Sequence, residues 1–401
     1  AVKKAYGKKG DKVIQMNHEA IEHGFTDLVK IDVPQQWKSY KDYEQERPAD
    51  QSQDHDLKEP EFVSRIMRPM NRQEGDLLPV SAFSGIEDGT FPCGTSAYEK
   101  RGIAVNVPEW NVETCIQCNQ CSFICPHSCV RPFLLTEEEK AAAPDSFKTQ
   151  QAKGKGLENY AFRIQISTMD CTGCGNCADI CPAKPKALVM KKLSTQSPEQ
   201  VPNWKYAVSK VSRKGNLFEG RTVKDSQFRQ PLMEFSGACA GCGEPAYIKL
   251  ITQLFGERMM IANATGCSSI WGASAPTTAY TCTRDGHGPS WANSLFEDNA
   301  EYGYGMYLGV QQIRDGLAQN MKELIQTGID VQLKEAFEYW IQVREDGEES
   351  IKAAARIQEI LKSPLPDNSP IRELPEKMHK LKEIQDKQDY LIKRSIWMIG
   401  G

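Results

Sequence analysis

The chain has 401 residues, of which 40% are hydrophobic and 25% are charged, and its formal net charge is −4. This length allows two or three domains with sizeable cores, and the charge excludes the basic excess typical of nucleic-acid-binding proteins. No apolar run reaches the length that a bilayer requires, and no charged-then-apolar leader opens the sequence. Its fourteen cysteines favour thiolate chemistry in a reducing cytoplasm over a disulfide framework.

The first sixty residues predict a short α/β segment followed by a linker. A strand is expected at residues 13–16, and a helix is expected from about Glu19 to Val29. Asn17 would then lie at the strand-to-helix junction, where it either caps the helix or contacts an anionic ligand. Capping is the simpler interpretation. Residues 31–60 mix prolines, glutamines and charges, which is typical of a linker crossing a surface.

Residues 61–110 contain glycines, prolines and scattered arginines without a clear hydrophobic period. They predict an extended linking domain. Cys93 lies here without a partner at ligand spacing, and we interpret it as a packed thiol.

Eight of the fourteen cysteines fall into two copies of one pattern, C-x2-C-x2-C-x3-C-P. Three thiolates at a three-residue repeat can bind three corners of an iron–sulfur cube, and the fourth cysteine, before proline, binds the other cube. Zinc suits pairs of C-x2-C but does not explain the third cysteine or the duplicated Cys-Pro. The pattern therefore predicts two [4Fe–4S] clusters. One takes Cys115, Cys118, Cys121 and Cys181, and the other takes Cys171, Cys174, Cys177 and Cys125.

Short β-like segments flank the second motif, at residues 162–166 and 187–190. Together with the duplicated cysteines they predict the strand–loop–helix–strand plan of a small two-cluster ferredoxin. Between the motifs, residues 133–160 carry runs of charge and are expected to be a solvated insertion. His127 and Cys129 fall outside the ligand spacing, and we interpret both as structural.

The second half of the chain alternates predicted helices and strands. A helical stretch is expected through Phe255, a strand at residues 258–262, and a polar glycine turn at residues 264–269. This order is typical of a doubly wound α/β domain, which binds ligands at its strand ends. Residues 311–395 show a mostly helical period, and their apolar positions are expected to face a core. These positions are Leu324, Ile325, Ile329, Leu333, Phe337, Trp340 and Ile341.

Cys239 and Cys242 form a further C-x2-C pair, and Cys267 follows 25 residues later. Three thiols near glycine-rich turns could hold a third metal centre, but they are one ligand short of a cube. Cys282 is the remaining candidate in this region. The alternative is that these cysteines are small core thiols.

The order of these features resembles pyruvate:ferredoxin oxidoreductase and the similar pyruvate:flavodoxin enzymes. The resemblance covers essentially the whole chain, and its combined motifs are highly specific. Besides the two cysteine motifs, it is carried by LPVSAF at 78–83, DGTFP at 88–92, YEKRGIA at 98–104, GACAGCGE at 237–244, ATGCS at 264–268 and WANSLFEDNA at 291–300.

The resemblance implies three cofactor sites beyond the two ferredoxin-like clusters. A third [4Fe–4S] cluster would be held by Cys239, Cys242, Cys267 and a later cysteine, which argues against Cys282. Thiamine diphosphate would lie beside that cluster, in contact with Glu244 and Cys267. In the family, the motif that binds Mg²⁺ and the pyrophosphate directly follows two glycines, and two glycines end this sequence. The chain is therefore expected to be part of a longer protein.

The implied architecture is a multidomain α/β protein, with a two-cluster ferredoxin-like α+β domain between an α/β tail with linker and the first part of a doubly wound thiamine diphosphate-binding α/β domain. The domains are expected at 1–54, 55–110, 111–205 and 206–401. The first of these resembles the end of a coenzyme A-binding domain, with Asn17 as a candidate contact.

The implied function is oxidative decarboxylation of pyruvate to acetyl-CoA and CO2. Electrons would pass through three clusters to ferredoxin or flavodoxin in a cytoplasmic homodimer of anaerobic metabolism, with neither nucleic acid nor membrane as a partner. The 401 residues alone are expected to be inactive. Two alternatives are an oxidoreductase of another 2-oxo acid and a ferredoxin-type electron-transfer subunit.

Overall fold

The computed structural model describes residues 1–35, 59–218, 222–274, 276–363, 369, 371 and 374–401. The chain forms two compact units, Ala1–Lys58 and Glu59–Gly401. None of the helices in these described residues has the length and apolar composition needed to cross a bilayer.

In the described part of the first unit, residues 1–35, the α-helices α1 (Val2–Tyr6) and α2 (Asp11–Thr26) form. The predicted strand at residues 13–16 is wrong, because these residues lie within α2. Four residues are too few to distinguish a strand from part of a helix. The residues that follow them favour helix, and α2 continues through them. Asn17 consequently lies inside α2 and not at a junction, and its Nδ2 donates a hydrogen bond of 2.7 Å to the Val13 carbonyl.

The second unit begins with a run of short helical turns. Its one regular α-helix in the described residues before the first strand is α3 (Arg68–Asn71), which follows a π-turn at Val63–Met67. Single 3₁₀ turns occur at Gly75–Leu77, Val80–Phe83 and Thr95–Tyr98. The Gly94 amide donates to the Tyr280 carbonyl at 2.7 Å, which attaches this run to the second half of the chain.

The cysteine motifs are enclosed by two small antiparallel sheets. Strand β1 (Asn106–Trp110) pairs with β5 (Leu188–Lys192). Strand β2 (Val130–Leu135) pairs with β4 (Ala161–Ile166), which also pairs with β3 (Gln150–Gln151). Each motif contributes one short helix at the same position, α4 (Gln120–Ile124) in the first, and an equivalent one in the second. The two predicted strands flanking the second motif are therefore confirmed as β4 and β5.

The insertion between the motifs is folded and not a solvated excursion as predicted. It contains α5 (Glu137–Ala141) and β3, and it buries Phe147 and Leu157. Only its Lys-Gly-Lys-Gly run is exposed throughout. The prediction failed because a few apolar side chains within this charge-rich sequence reach the core. The second motif then supplies α6 (Asn176–Asp179), followed after β5 by α7 (Leu193–Ser209) and α8 (Val223–Ser226).

Glu139 fixes this insertion to the residues after α7. Its carboxylate accepts hydrogen bonds from the Lys214 ammonium at 2.7 Å and from the Ser212 amide at 2.7 Å. Burial alone would raise the pKa of Glu139, but the bonds from Lys214, Ser212 and Thr136 outweigh it and lower the pKa to about 2. The ionised carboxylate therefore stabilises the folded state above pH 4.5, and this contribution is lost as the pH falls towards 2.

We expect Glu139→Gln to lower the free energy of unfolding by about 2–3 kcal/mol at pH 7, because a charged acceptor is lost and the Lys214 ammonium stays buried. Denaturant unfolding from pH 7 to pH 3 should show the two proteins converging at low pH. Glu137→Gln on the same helix is the control, because its side chain is 74% exposed. A difference between wild type and E139Q that did not shrink with acid would contradict this assignment.

A parallel three-stranded sheet organises the second half of the chain. Strand β6 (Met259–Ala264) lies between β7 (Ser290–Ser294) and β8 (Ser395–Ile399), and both neighbours run parallel to it. The helix α9 (Glu244–Phe255) precedes β6, and α10 (Cys267–Ala273) follows it. The predicted helix and the predicted strand are both confirmed here. A buried core of Met233, Ile248, Ile261 and Tyr280 supports this sheet.

Four helices between β7 and β8 form a separate hydrophobic core. They are α11 (Asn299–Thr327), α12 (Val331–Val343), α13 (Glu349–Lys362) and α14 (Pro375–Asp386). All seven apolar positions predicted to face a core do so. Leu324, Leu333, Phe337 and Trp340 are buried, and Ile325, Ile329 and Ile341 pack against them. These residues therefore serve stability and not cofactor binding.

Candidate iron–sulfur sites

The structure brings the first predicted ligand set to one cavity. Three of its thiols come from the first motif and the fourth comes from the end of the second. Its other walls are largely apolar and include Trp110, Ile164 and Leu188. The four cysteines that line it are Cys115, Cys118, Cys121 and Cys181.

A second cavity repeats this arrangement with the motifs exchanged. It is lined by Cys125, Cys171, Cys174 and Cys177, with Cys129 as an additional thiol. Within the described ranges, no three His, Cys, Asp or Glu side chains lie close enough together to hold a single metal ion. Each cavity thus offers four thiols spread around a space, which is the donor set of a cubane cluster.

The loops that carry the ligands repeat an unusual backbone conformation. Gln117 and Asn119 have positive φ angles of 62° and 60°, and the equivalent positions in the second motif are Gly173 and Gly175, at 72° and 83°. Successive turns of this kind direct amide N–H groups towards one point and favour an anionic group there. At Gly173 a side chain would also collide with the Asn106 carbonyl oxygen, 2.9 Å from the position of a Cβ.

The first motif uses side-chain hydrogen bonds where the second uses glycine. The Gln117 amide donates to the Gln151 carbonyl at 2.7 Å and accepts from the Lys153 amide at 2.8 Å. The Asn119 amide donates to the Lys224 carbonyl at 2.9 Å. The insertion therefore supports the first ligand loop. Sequence reasoning missed these two residues, although their alignment with the glycines of the second repeat could have identified them.

Backbone amides donate to three of the ligand sulfurs. The Cys129 amide lies 3.3 Å from Cys125 Sγ, the Gly173 amide 3.4 Å from Cys171 Sγ, and the Ala187 amide 3.3 Å from Cys181 Sγ. Hydrogen bonds of this type stabilise thiolate charge and raise the reduction potential of a cluster. The Cys129 thiol itself contacts the His127 carbonyl, and His127 Nδ1 lies 3.0 Å from the Ser236 carbonyl oxygen. Both residues thus have structural partners.

The cavities are poor environments for thiolates without a cation. Burial raises the pKa of the Cys171 thiol to about 12, and it raises the pKa of Cys121 and Cys177 further. At Cys125 the shift is opposite, because a hydrogen bond from Cys129 outweighs burial and holds its pKa well below the usual value. Iron would supply the positive charge that these buried sulfurs need in order to ionise.

The third set of cysteines is less enclosed. Cys239 and Cys267 are exposed and Cys242 is half-buried. Cys239 borders a cavity of about 230 Å³ that is also lined by Glu99, Arg101 and Asp170 but by neither of the other two cysteines. Cys242 directly precedes the turn into α9, and Cys267 is the first residue of α10.

Cys282 does not lie with these three but contacts Cys93, with 3.8 Å between the two sulfurs. Cys93 is an exposed residue, so its interpretation as a packed thiol is wrong. The two thiols are 189 positions apart in sequence, and they meet because the turn at Gly94 is hydrogen-bonded to Tyr280. Such a long-range contact leaves no local pattern in the sequence.

The carboxyl edge of the parallel sheet is the remaining candidate site. The buried Asn263 amide donates to Ser268 Oγ at 2.8 Å, and Ser268 Oγ donates to the Gly400 carbonyl at 2.6 Å. These bonds hold the turn before α10 against the end of β8. Gly266 approaches Gly401 so closely that a side chain there would collide with the backbone. Open α/β sheets bind ligands at this edge.

Glu244 and Asn17 occupy different environments. Glu244 begins α9 and is half-buried, and this burial raises the pKa of its carboxyl group. Asn17 belongs to the other compact unit, and its side-chain amide is already bonded to Val13.

Two family models match this chain. Residues 114–184 match a 4Fe-4S dicluster domain, and residues 49–104 match EKR, a domain of unknown function. The first match confirms a ferredoxin-type iron–sulfur domain at the two four-cysteine cavities.

Curated relatives match the full chain. It is 48% identical to a pyruvate:ferredoxin oxidoreductase of Moorella thermoacetica, over 100% of this chain and 33% of the relative. It is 49% identical to a pyruvate-flavodoxin oxidoreductase of Klebsiella pneumoniae, over 100% of this chain and 32% of the relative. A mitochondrial pyruvate dehydrogenase [NADP(+)] of Euglena gracilis is 42% identical over 99% of this chain and 21% of the relative. The predicted resemblance is confirmed, and the chain spans about a third of the length of the first two relatives.

Proposed function

We propose that this chain is the electron-relay part of a pyruvate oxidoreductase that oxidises pyruvate with coenzyme A to acetyl-CoA and CO2. The observation that carries this proposal is the pair of crossed four-cysteine cavities, in a chain similar throughout to pyruvate:ferredoxin and pyruvate-flavodoxin oxidoreductases. The reaction releases one proton and two electrons for each pyruvate and coenzyme A consumed. Because a [4Fe–4S] cluster carries one electron at a time, the two electrons must leave in succession.

The relay would begin at the carboxyl edge of the parallel sheet. Thiamine diphosphate, when bound there, would stabilise the charge that loss of CO2 leaves behind. Glu244 and Cys267 are the proposed contacts for it, with Mg²⁺ holding the pyrophosphate. Cys239, Cys242 and Cys267 would bind a third cluster together with a cysteine from elsewhere in the protein. The closed glycine turn at Gly266 and the raised pKa of the Glu244 carboxyl support this location.

The two ferredoxin-like clusters would carry the electrons to an external acceptor. Helix α4 holds Cys121 in the first cavity and ends at Cys125 in the second, so a single helical turn bridges the two sites. Ferredoxin or flavodoxin is the proposed acceptor, in a cytoplasmic homodimer. Asn17 remains a proposed contact for coenzyme A, with its amide oxygen as the group left to bind it.

Two other functions use the same relay. A ferredoxin-type electron-transfer subunit would need the two clusters but no thiamine site. An oxidoreductase of another 2-oxo acid would need all three clusters and differ in its substrate pocket. The match over 100% of this chain to enzymes named for pyruvate favours the pyruvate reaction over both.

Electron paramagnetic resonance and cofactor analysis on the complete protein test this proposal. We expect bound thiamine and about twelve iron atoms per chain, the content of three [4Fe–4S] clusters. Pyruvate with coenzyme A should produce the spectrum of reduced clusters, and 2-oxoglutarate should not. About eight iron atoms without thiamine would identify an electron-transfer subunit, and reduction by 2-oxoglutarate alone would identify the other oxidoreductase.

A further inference from the structure

Lys249 is a fully buried lysine at the centre of the relay. It lies on α9 and is 1% exposed. Its Nζ contacts three backbone carbonyl oxygens, those of Ser122, of Phe123 at 3.0 Å and of Cys125 at 3.2 Å. These carbonyls form the end of α4, which connects the two cysteine cavities.

The three contacts require the charged form of the side chain. Each carbonyl can only accept a hydrogen bond, and an ammonium group has three N–H donors, whereas a neutral amine has two. Burying such a cation is costly unless an anion is near. Lys249 forms no ion pair with any described residue. The carboxylate of Glu234 does not neutralise it, because that carboxylate is paired with Arg131.

The cysteine ligands, once ionised, would supply the negative charge, and both Cys125 and Cys121 act electrostatically on Lys249. Cys125 carries the last of the three carbonyls and Cys121 directly precedes the first, and these two cysteines line different cavities. This inference rests on the proposed function. We propose that Lys249 is a positioning residue whose fixed charge lies between the two clusters and favours their reduced forms. Reduction adds one negative charge to a cluster, so a nearby buried cation stabilises the reduced form more than the oxidised form. The result is a higher reduction potential for both clusters.

The same contact joins the relay to the third cysteine set. Helix α9 begins directly after Cys242 and Gly243, so Lys249 attaches the loop of the third centre to the helix of the other two. Lys249 therefore contributes to fixing the distance between successive electron carriers.

Redox titration of the cluster-loaded complete protein tests the role of the charge. Lys249→Met and Lys249→Gln remove the charge, and Lys249→Arg keeps it. We expect both neutral variants to lower the midpoint potential of the two relay clusters by at least a tenfold change in the one-electron equilibrium, which is about 59 mV. K249R should stay within that margin of wild type. Electron paramagnetic resonance monitors each reduced cluster.

Lys377→Met is the matched control. Lys377 is 6% exposed, and its Nζ donates to the Thr327 and Gly328 carbonyls at 2.8 and 3.3 Å, in the helical core without cluster cysteines. K377M should lose stability as K249M does while its potentials remain unchanged. The proposal is overturned if the neutral variants keep the wild-type midpoint potentials, or if the potentials of K249R shift as far as those of the neutral variants. It is also overturned if the neutral variants fail to bind the clusters, because Lys249 would then have only a role in assembly. These potentials are measured with a chemical reductant, so they are independent of whether pyruvate is the substrate.

Discussion

Replacing Cys125 by serine is expected to remove the cluster bounded by the second cysteine motif, although Cys125 belongs to the first. It lines the cavity with Cys171, Cys174 and Cys177. A serine hydroxyl remains protonated and binds iron poorly, so a cluster held by the other three thiolates should be lost or degraded. We expect iron and acid-labile sulfide to fall by about four atoms each per chain. Electron transfer to the external acceptor should be abolished, because the relay is interrupted.

Double variants decide how the two motifs share their ligands. Cys125→Ser with Cys171→Ser should lose no more iron than C125S alone, because both cysteines serve one cluster. Cys125→Ser with Cys121→Ser should lose about eight iron atoms, because each serves a different cluster. The reverse result would mean that each motif binds its own cluster and that the crossed assignment is wrong.

Two other cysteines provide controls for these variants. Cys129→Ala should keep both clusters, because the Cys129 thiol contacts a backbone carbonyl and its amide still donates to Cys125 Sγ. Cys93→Ser should also keep them, since Cys93 contacts Cys282 and borders neither cavity. Loss of iron in C129A would identify Cys129 as a ligand and overturn the interpretation of this residue as structural.

Replacing Glu244 by glutamine in the complete protein is expected to lower kcat for pyruvate oxidation by about 10²–10⁴, the usual contribution of a residue that transfers or holds a proton. Glu244 begins α9, and partial burial raises the pKa of its carboxyl group, which is the direction expected for a carboxyl group that takes part in proton transfer. Glutamine preserves the shape and the hydrogen bonding but cannot change its protonation state. Steady-state assays with pyruvate and coenzyme A measure the effect.

The matched control is Glu257→Gln, at an exposed position just after the same helix. E257Q should retain wild-type activity, and both variants should keep the same iron content. A kcat for E244Q within a factor of about three of wild type would contradict a role in proton transfer, given the size of that contribution. A parallel loss of iron in E244Q would indicate damage to the neighbouring cysteine loop instead.

The local sequence was sufficient where a pattern was both periodic and long. The crossed ligand sets could be predicted because the fourth cysteine and its proline repeat with the first three, and the two cavities contain these sets. The helical core after residue 311 could be predicted because its apolar period continues over several turns. The run at residues 13–16 failed because four residues do not distinguish a strand from part of a helix.

The sequence predicts which thiols share a cluster, because ligand spacing is set by the covalent chain and by the geometry of the cube. It also determined the strands next to the motifs, since β-branched and aromatic residues are concentrated there. What surrounds these elements depends on how the chain packs in three dimensions. Glu139, Lys249 and the contact between Cys93 and Cys282 all depend on partners more than seventy positions away. Such contacts follow from how elements pack in space, and no local pattern of residue types encodes them.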